Sequence, residues 1–280
     1  MFRFAVAFLT AALAAIGFQS DDNKPSEPFR IADNLYYVGA SDIGSYLITT
    51  PEGHILIDAG YVQTVPIIQA NIAKLNLHLQ DVKILLNTQA HFDHAGGFAD
   101  MKRFTGASLM VSDEDAAVIE RGGRGDFNLG DSRPFPAAKV DRRLKDLDTV
   151  RLGGVVLTAH LTPGHTKGCT TWTFDVHDRG RTYHVVDLCG LSILDGTRVS
   201  GMPGYPQIAS DYSHTYDVLK GLPCDIFIGA HASYYGGQDK AAALRAHPDS
   251  ANPFVDPAGY RAHIARAEGR FREQLAREQK

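Results

Sequence analysis

Short apolar segments in the first half of the chain follow the alternation or continuous runs that are typical of β-strands. The strand-like segments are "LYYVGA", "SYLITT", "HILIDAG", "DVKILLNT" and "SLMVS". The third and fourth of them are separated by "VPIIQANIAKLNL", which repeats its apolar residues with helical spacing. Two more segments predict helices, namely "GGFADMKRF" and "DEDAAVIERG", and the second begins with acidic residues as helices often do.

The second half of the chain repeats this order of strands followed by a helix, a strand and a helix. Strands are predicted for "TVRLG", "VVLTAHLT", "CTTWTFDV", "TYHVVDL" and "CDIFIGAH". Amphipathic helices are predicted for "YPQIASDYSHTYDVLKGL" and for the charged segment from Asp256 to the end. This order predicts an α/β fold, a four-layer αβ/βα sandwich with two sheets inside and helices outside, as a single domain over residues 21–280.

Residues 1–20 differ from the rest, because one early arginine is followed by an apolar run rich in Ala, Phe and Leu. This pattern is typical of a secretory signal peptide, and the run is short for a membrane span. A buried N-terminal helix or a membrane anchor are the alternatives. We therefore expect a periplasmic protein that is not membrane-bound after removal of the signal.

The composition adds two limits. Of the 280 residues, 44% are hydrophobic and 21% charged, with a formal net charge of -4, which disfavours a nucleic-acid-binding protein. The three cysteines are Cys169, Cys189 and Cys224. An odd number leaves at least one unpaired and demands no disulfide, so Cys169 and Cys224 are interpreted as small buried apolar residues.

The segment "NTQAHFDHAGG" places three metal-ligand side chains within four positions, just beyond a predicted buried strand. Two more histidines follow predicted strands, one in "LTPGHTKG" and one at the end of "CDIFIGAH". Imidazole and carboxylate are the usual ligands of zinc in hydrolytic sites. Because strand ends of one sheet layer meet at a common rim, the sequence predicts a metal site formed by Gln89, His91, Asp93, His94, His165 and His231.

These motifs resemble those of the metallo-β-lactamase superfamily, and "LIDAG" resembles its early strand end. "TPGHTKGCTTW", "GYPQIASDYSHTY" and "LPCDIFIGAHASYY" are similar to the third subclass of class B β-lactamases. Glutamine in the first motif resembles a Gln-bearing, GOB-like branch of that subclass.

The resemblance implies hydrolysis of a small-molecule β-lactam substrate by a hydroxide bound to Zn²⁺, in a monomeric enzyme. Two metal sites are implied: Gln89, His91 and His165 form the first site, and Asp93, His94 and His231 form the second site. Asp93 would also orient the hydroxide, and Asp58 would support a ligand from outside the metal shell.

The chain departs from the subclass pattern at three places. Gln89 offers a neutral amide oxygen, a poorer zinc ligand than imidazole, so we expect a weaker first site and one or two zinc ions per chain. A serine near the second metal is common in the subclass, and here Cys189 and Ser192 are both candidates for that position. Cys224 matches a half-cystine of the subclass, but the C-terminal region has no cysteine that could bond to it.

Two other functions remain open on the sequence. A hydrolase of the same fold could act on a lactone, thioester or phosphoester, since one fold carries many chemistries. Thioesterase and phosphodiesterase relatives usually carry an aspartate between the second and third motifs, and Asp187 lies at about that position. A non-catalytic periplasmic metal-binding protein is the other alternative.

Overall fold

The computed structural model describes residues 21–280, so the predicted signal peptide lies outside the described residues and remains a prediction. Within these residues the strands form two sheets of seven and five strands. Helices pack on both outer faces, and the predicted sandwich is confirmed. Among residues 21–280, none of the helices combines the length and the apolar character that a membrane span requires.

The first sheet contains seven strands that are neighbours in chain order. They are β1 (Phe29–Ala32), β2 (Leu35–Tyr37), β3 (Tyr46–Thr50), β4 (Gly53–Ile57), β5 (Val82–Leu86), β6 (Ser108–Ser112) and β7 (Arg142–Leu144). Strands β1 to β4 are antiparallel, and β4 to β7 are parallel. Between these strands the chain forms α1 (Val65–Lys74), α2 (Phe92–Ala95), α3 (Phe98–Thr105) and α4 (Asp113–Glu120).

The second sheet has the order β12-β11-β10-β9-β8. Its strands are β8 (Thr149–Leu152), β9 (Val155–Leu161), β10 (Thr170–Asp178), β11 (Arg181–Leu188) and β12 (Ile226–Gly229). Helix α5 (Ile208–Gly221) connects β11 to β12, which therefore pair in parallel. Helices α6 (Gly237–Ala246) and α7 (Pro257–Glu278) complete this half.

Strand β4 shows why the sheet needs cover on both faces. Ile55 and Ile57 belong to the core between the two sheets, whereas Leu56 packs beneath the helices of the first half. Side chains alternate between the faces of a strand, so an uninterrupted apolar strand requires two apolar surroundings. The predicted burial of β5 follows the same rule.

Trp172 on β10 connects the core to the first motif. Its indole is fully buried, and Nε1 donates a hydrogen bond to the Asn87 carbonyl at 3.0 Å. The residues after β5 are therefore attached to the second sheet. Within the first motif, Asp93 and His94 lie in the one-turn helix α2, which the sequence did not predict.

Candidate metal centre

The predicted ligands converge at one rim of the sandwich, where β5, β9 and β12 end. Gln89 and His91 follow β5, His165 follows β9, and His231 follows β12. The rings of His91 and His165 are 4.7 Å apart between centroids. The rings of His94 and His231 are 5.0 Å apart. Four histidines from three distant segments thus form two adjacent pairs.

The predicted second site forms a compact set of ligand atoms. Asp93 Oδ2 lies 3.2 Å from His94 Nε2 and 3.8 Å from His231 Nε2. One ligand atom from each of these three side chains lies within 4.8 Å of the others. Such spacing is short enough for one cation to contact all three, and three protein ligands are a sufficient set for a catalytic metal.

The predicted first site is assembled around Gly190, which follows β11. Gln89 Oε1 accepts a hydrogen bond from the Gly190 backbone N–H at 3.2 Å. A Cβ atom at Gly190 would lie 2.5 Å from Gln89 Oε1 and 2.9 Å from His165 Nε2. Only a glycine fits at this point without displacing these side chains. Gln89 therefore lies beside His165, with its amide oxygen already bonded to the backbone.

Carboxylates lie behind both histidines of the second site. His94 Nδ1 lies 3.4 Å from Asp58 Oδ2, and His231 Nδ1 lies 3.0 Å from Asp42 Oδ2. Asp58 also accepts hydrogen bonds from the backbone and the hydroxyl of Thr88 at 2.8 and 2.6 Å. A histidine whose second nitrogen faces a carboxylate keeps its ring orientation and is a stronger metal ligand. Asp58 was predicted in this position, and Asp42 was not.

The histidines of the first site have different neighbours. His165 Nδ1 lies 2.7 Å from the Ser192 carbonyl, to which it can donate, and 3.3 Å from the Ser192 hydroxyl. His91 Nε2 lies 3.8 Å from Asp126 Oδ2. Asp126 belongs to the glycine-rich loop of residues 122–136, and no sequence motif indicated it. Ser192, one of the two candidates for the residue near the second metal, thus lies against His165.

The structure corrects the interpretation of two cysteines. Cys169 and Cys189 form a disulfide, so Cys169 is not an unpaired apolar residue, and Cys189 offers no thiol to the second site. The Cys189 sulfur lies 3.0 Å from the Thr88 carbonyl and 3.6 Å from Gln89 Oε1. The bond therefore lies directly behind the first site. Cys224 is the free cysteine, as its lack of a C-terminal partner predicted.

The two predicted sites differ in the charge of their side chains. Burial opposes ionisation of Asp93, yet the adjacent His94 and His91 hold its pKa well below the usual range. Burial also opposes protonation of His94, but Asp93 and Asp58 raise its pKa to about 10. Burial and the neighbouring His91 instead lower the pKa of His165 to about 3. The first site thus presents neutral rings, and the second site carries an ionised carboxylate.

Three buried ring nitrogens in the centre face carboxylates without meeting the geometry of a hydrogen bond. His91 Nε2 lies 3.8 Å from Asp126, and the two ring nitrogens of His94 lie 3.4 and 3.2 Å from Asp58 and Asp93. The residues present fit a divalent metal such as zinc, which prefers imidazole and carboxylate.

Asp187 lies at the end of β11 and is not one of the three residues whose ligand atoms lie within 4.8 Å of one another. Its side chain is fully buried, and neither carboxyl oxygen has a hydrogen-bond partner in residues 21–280. Burial, together with the nearby Asp58, raises its pKa well above the ordinary value. The Gly190 backbone, three positions further along the chain, is the part of this segment that lies against Gln89 and His165.

Comparison with known proteins gives a consistent assignment. The model of the metallo-beta-lactamase superfamily matches residues 39–179. The fold is similar to the native FEZ-1 metallo-beta-lactamase from Legionella gormanii, with 45% identity, a TM-score of 0.89, and coverage of 92% of this chain and 98% of that one. The class B3 di-zinc metallo-beta-lactamase LRA-12 from an Alaskan soil metagenome is 37% identical, with a TM-score of 0.85 and coverage of 96% and 100%.

Curated relatives match a smaller part. A hydroxyacylglutathione hydrolase of Rhodopseudomonas palustris is 28% identical over 113 residues, which are 40% of this chain and 36% of that protein. The chain spans about a third of the length of the first curated relatives that it matches.

Proposed function

The chain belongs to the metallo-beta-lactamase superfamily, and on this basis we propose that it hydrolyses the β-lactam ring of antibiotics with zinc bound at its six-residue rim site. The observation that carries the proposal is the convergence of four histidines, Asp93 and Gln89 in a fold similar over nearly its whole length to a metallo-beta-lactamase. Penicillins, cephalosporins and carbapenems are the proposed substrates. The predicted GOB-like branch stays a prediction.

Zinc at this centre would supply a nucleophile at neutral pH, by lowering the pKa of the water it binds, and would polarise the lactam carbonyl. Asp93 would act on the attacking water as well as on the metal. Its carboxylate stays ionised because its pKa is low, so it can accept a hydrogen bond from the attacking water and orient it. Asp42 and Asp58 hold the rings of His231 and His94, so the nitrogens of the second site keep their direction.

Substrate would enter between two segments at the rim. The loop of residues 122–136 carries Asp126 against His91, and the segment after β12 places the Tyr234 ring 5.1 Å from the His231 ring. Loops over a rigid rim are where binding residues concentrate. We therefore assign substrate contact to these two segments.

The two metal positions should differ in strength. Gln89 is a neutral ligand whose oxygen already accepts from Gly190, whereas the second site offers an ionised carboxylate. Loss of zinc on dilution or chelation should therefore begin at the first site. One zinc at the second site is the smallest active form that this proposal allows.

A second candidate function follows from the curated relatives, which include hydroxyacylglutathione hydrolases. That match covers 40% of this chain and 36% of that protein, and Asp187 is not one of the described residues whose ligand atoms group together, as the thioesterase pattern would require. A lactone or phosphoester substrate, or metal binding without catalysis, are further alternatives. A periplasmic location and a monomeric state are also part of the proposal, and cell fractionation and gel filtration test them.

The decisive experiment measures hydrolysis of one penicillin, one cephalosporin, one carbapenem and one hydroxyacylglutathione by the purified protein. Each is measured with zinc and after chelation. Lactam turnover should disappear with chelator, return with zinc, and be abolished in His231→Ala. His247→Ala serves as the matched control, because His247 is exposed and distant in the chain from every predicted ligand.

Turnover of the thioester alone would replace the proposal with the second candidate. Zinc binding without turnover of any substrate would leave only the metal-binding alternative.

A further inference from the structure

A buried acidic side chain outside the predicted ligand set lies directly behind the first site. Asp115 is in the first turn of α4, on the outer face of the first sheet, and only 1% of its surface is exposed. Burial raises the pKa of Asp115 to about 7, although three hydrogen bonds favour the charged form. Because burying a carboxyl group is costly, its contacts should explain why it is there.

One oxygen of Asp115 binds two segments that are far apart in sequence. Oδ2 accepts from the Ala90 backbone N–H at 2.8 Å and from the Thr166 hydroxyl at 3.0 Å. Ala90 lies between Gln89 and His91, and Thr166 directly follows His165. A single oxygen atom therefore joins the two segments that carry all three predicted ligands of the first site.

The other oxygen of Asp115 binds the backbone that follows His165. Oδ1 accepts from the Gly168 backbone N–H at 2.9 Å, and the Ser112 hydroxyl donates to the Gly168 carbonyl at 2.5 Å. A Cβ at Gly168 would lie 2.5 Å from the Asp115 backbone nitrogen. The segment after His165 is thus packed against α4 with no room for a side chain.

Only a carboxyl group meets the demands of this position. Three donors converge on its two oxygens, and a carboxylate is acceptor-only. An asparagine of the same size would turn an amide NH₂ toward at least one of the three donors. Among the described residues, Asp115 makes no hydrogen bond to a residue of the second site, whose histidines are supported by Asp42 and Asp58.

We propose that Asp115 is a positioning residue for the first site, which fixes the separation between the Gln89–His91 segment and His165. The inference rests on the proposed assignment of these three residues to one metal. A neutral amide contributes weakly to zinc binding. Zinc affinity at this site therefore depends strongly on holding the Gln89–His91 segment and His165 at the correct separation before the metal binds. Loss of supporting residues outside the metal shell commonly costs 10- to 100-fold in metal affinity.

The test measures stepwise zinc affinity by chelator competition and cobalt binding by absorption spectroscopy, on metal-free protein loaded in known amounts. His165→Ala and His231→Ala provide the signatures of a lost first and a lost second site. Asp115→Asn should weaken one metal about 10- to 100-fold, with the signature of His165→Ala, and leave the other unchanged. Asp113→Asn is the matched control, since Asp113 lies on the same helix but is 70% exposed.

Thr166→Val removes one donor at nearly constant volume, and it should give a smaller loss at the same site. It also preserves the test if Asp115→Asn does not fold, which thermal unfolding of the metal-free protein would reveal. Equal weakening at both sites, or no weakening in either variant, overturns the role of Asp115. If His165→Ala itself leaves zinc binding unchanged, the assignment of the first site fails, and that outcome is separate from the failure of Asp115 alone.

Discussion

Replacing both cysteines of the disulfide should lower the free energy of unfolding by about 3 kcal/mol. The bond joins Cys169 and Cys189 across a sequence separation of 20 residues. Closing a loop of that length removes about 3 kcal/mol of chain entropy from the unfolded state at room temperature. The two side chains are fully buried, so the small cavities left by Cys169→Ala and Cys189→Ala can only add to the loss.

The assay is denaturant unfolding of metal-free protein, so that changes in zinc binding do not contribute. The double variant should also unfold about 6–12 °C below the parent, since a domain somewhat smaller than this chain loses about 2–4 °C per kcal/mol. The parent protein reduced with a dithiol should lose about 3 kcal/mol and be no less stable than the double variant, because it keeps both sulfur atoms. Cys224→Ala is the control, because Cys224 is unpaired and only half-buried.

A loss below about 1 kcal/mol would contradict the loop-closure argument. A reduced parent that is as stable as the oxidised protein would contradict it as well. If Cys224→Ala lost as much stability as the double variant, the effect would reflect side-chain volume rather than the covalent bond.

Three further results are expected. Gly190→Ala would place a Cβ 2.5 Å from Gln89 Oε1 and 2.9 Å from His165 Nε2, and it should weaken zinc binding, measured by calorimetry, about tenfold. Gly269→Ala is the control: its Cβ would meet no neighbouring atom within 4 Å, so zinc binding should stay unchanged. Asp42→Asn should weaken the second metal about 10- to 100-fold, because Asp42 supports His231; unchanged chelator competition would contradict this. Burial and two arginines lower the pKa of His263 to about 4. The free energy of unfolding should therefore fall as pH drops from 6.5 toward 4, because the unfolded ring gains a proton in this range and the folded ring does not. His263→Asn should reduce this pH dependence when unfolding is measured at each pH.

Most of the fold was predictable because the spacing of apolar residues in a long segment indicates whether it forms a buried strand or a helix. The continuous run that became β5 and the helical spacing that became α1 were both confirmed. Three short elements were missed. Strand β1 (Phe29–Ala32) has four residues, β7 (Arg142–Leu144) has three and begins with two arginines, and α6 (Gly237–Ala246) begins with a glycine. None of them carries a periodic pattern long enough to stand out.

The candidate site was predictable only where motifs carry it. Four histidines and Asp93 stand in motifs at strand ends, so the sequence alone indicated them. Asp42 and Asp126 are single aspartates in loops, and their role depends on which rings the fold brings beside them. The pairing of Cys169 with Cys189 was likewise beyond the sequence, since spacing does not determine connectivity.

The carboxylates around the rim site link the amount of folded protein to the supply of metal. Asp42, Asp58, Asp93 and Asp126 lie within 4 Å of the histidine rings, and His94 is the ring whose pKa is raised toward a compensating positive charge. Divalent cations bound at the rim site would reduce the electrostatic repulsion among these carboxylates, and they would do so in the folded state only. Zinc at one hundred times its dissociation constant adds about 2.7 kcal/mol of stability per site. A cell short of zinc would thus hold fewer folded molecules as well as fewer loaded ones, because proteases remove the unfolded chains.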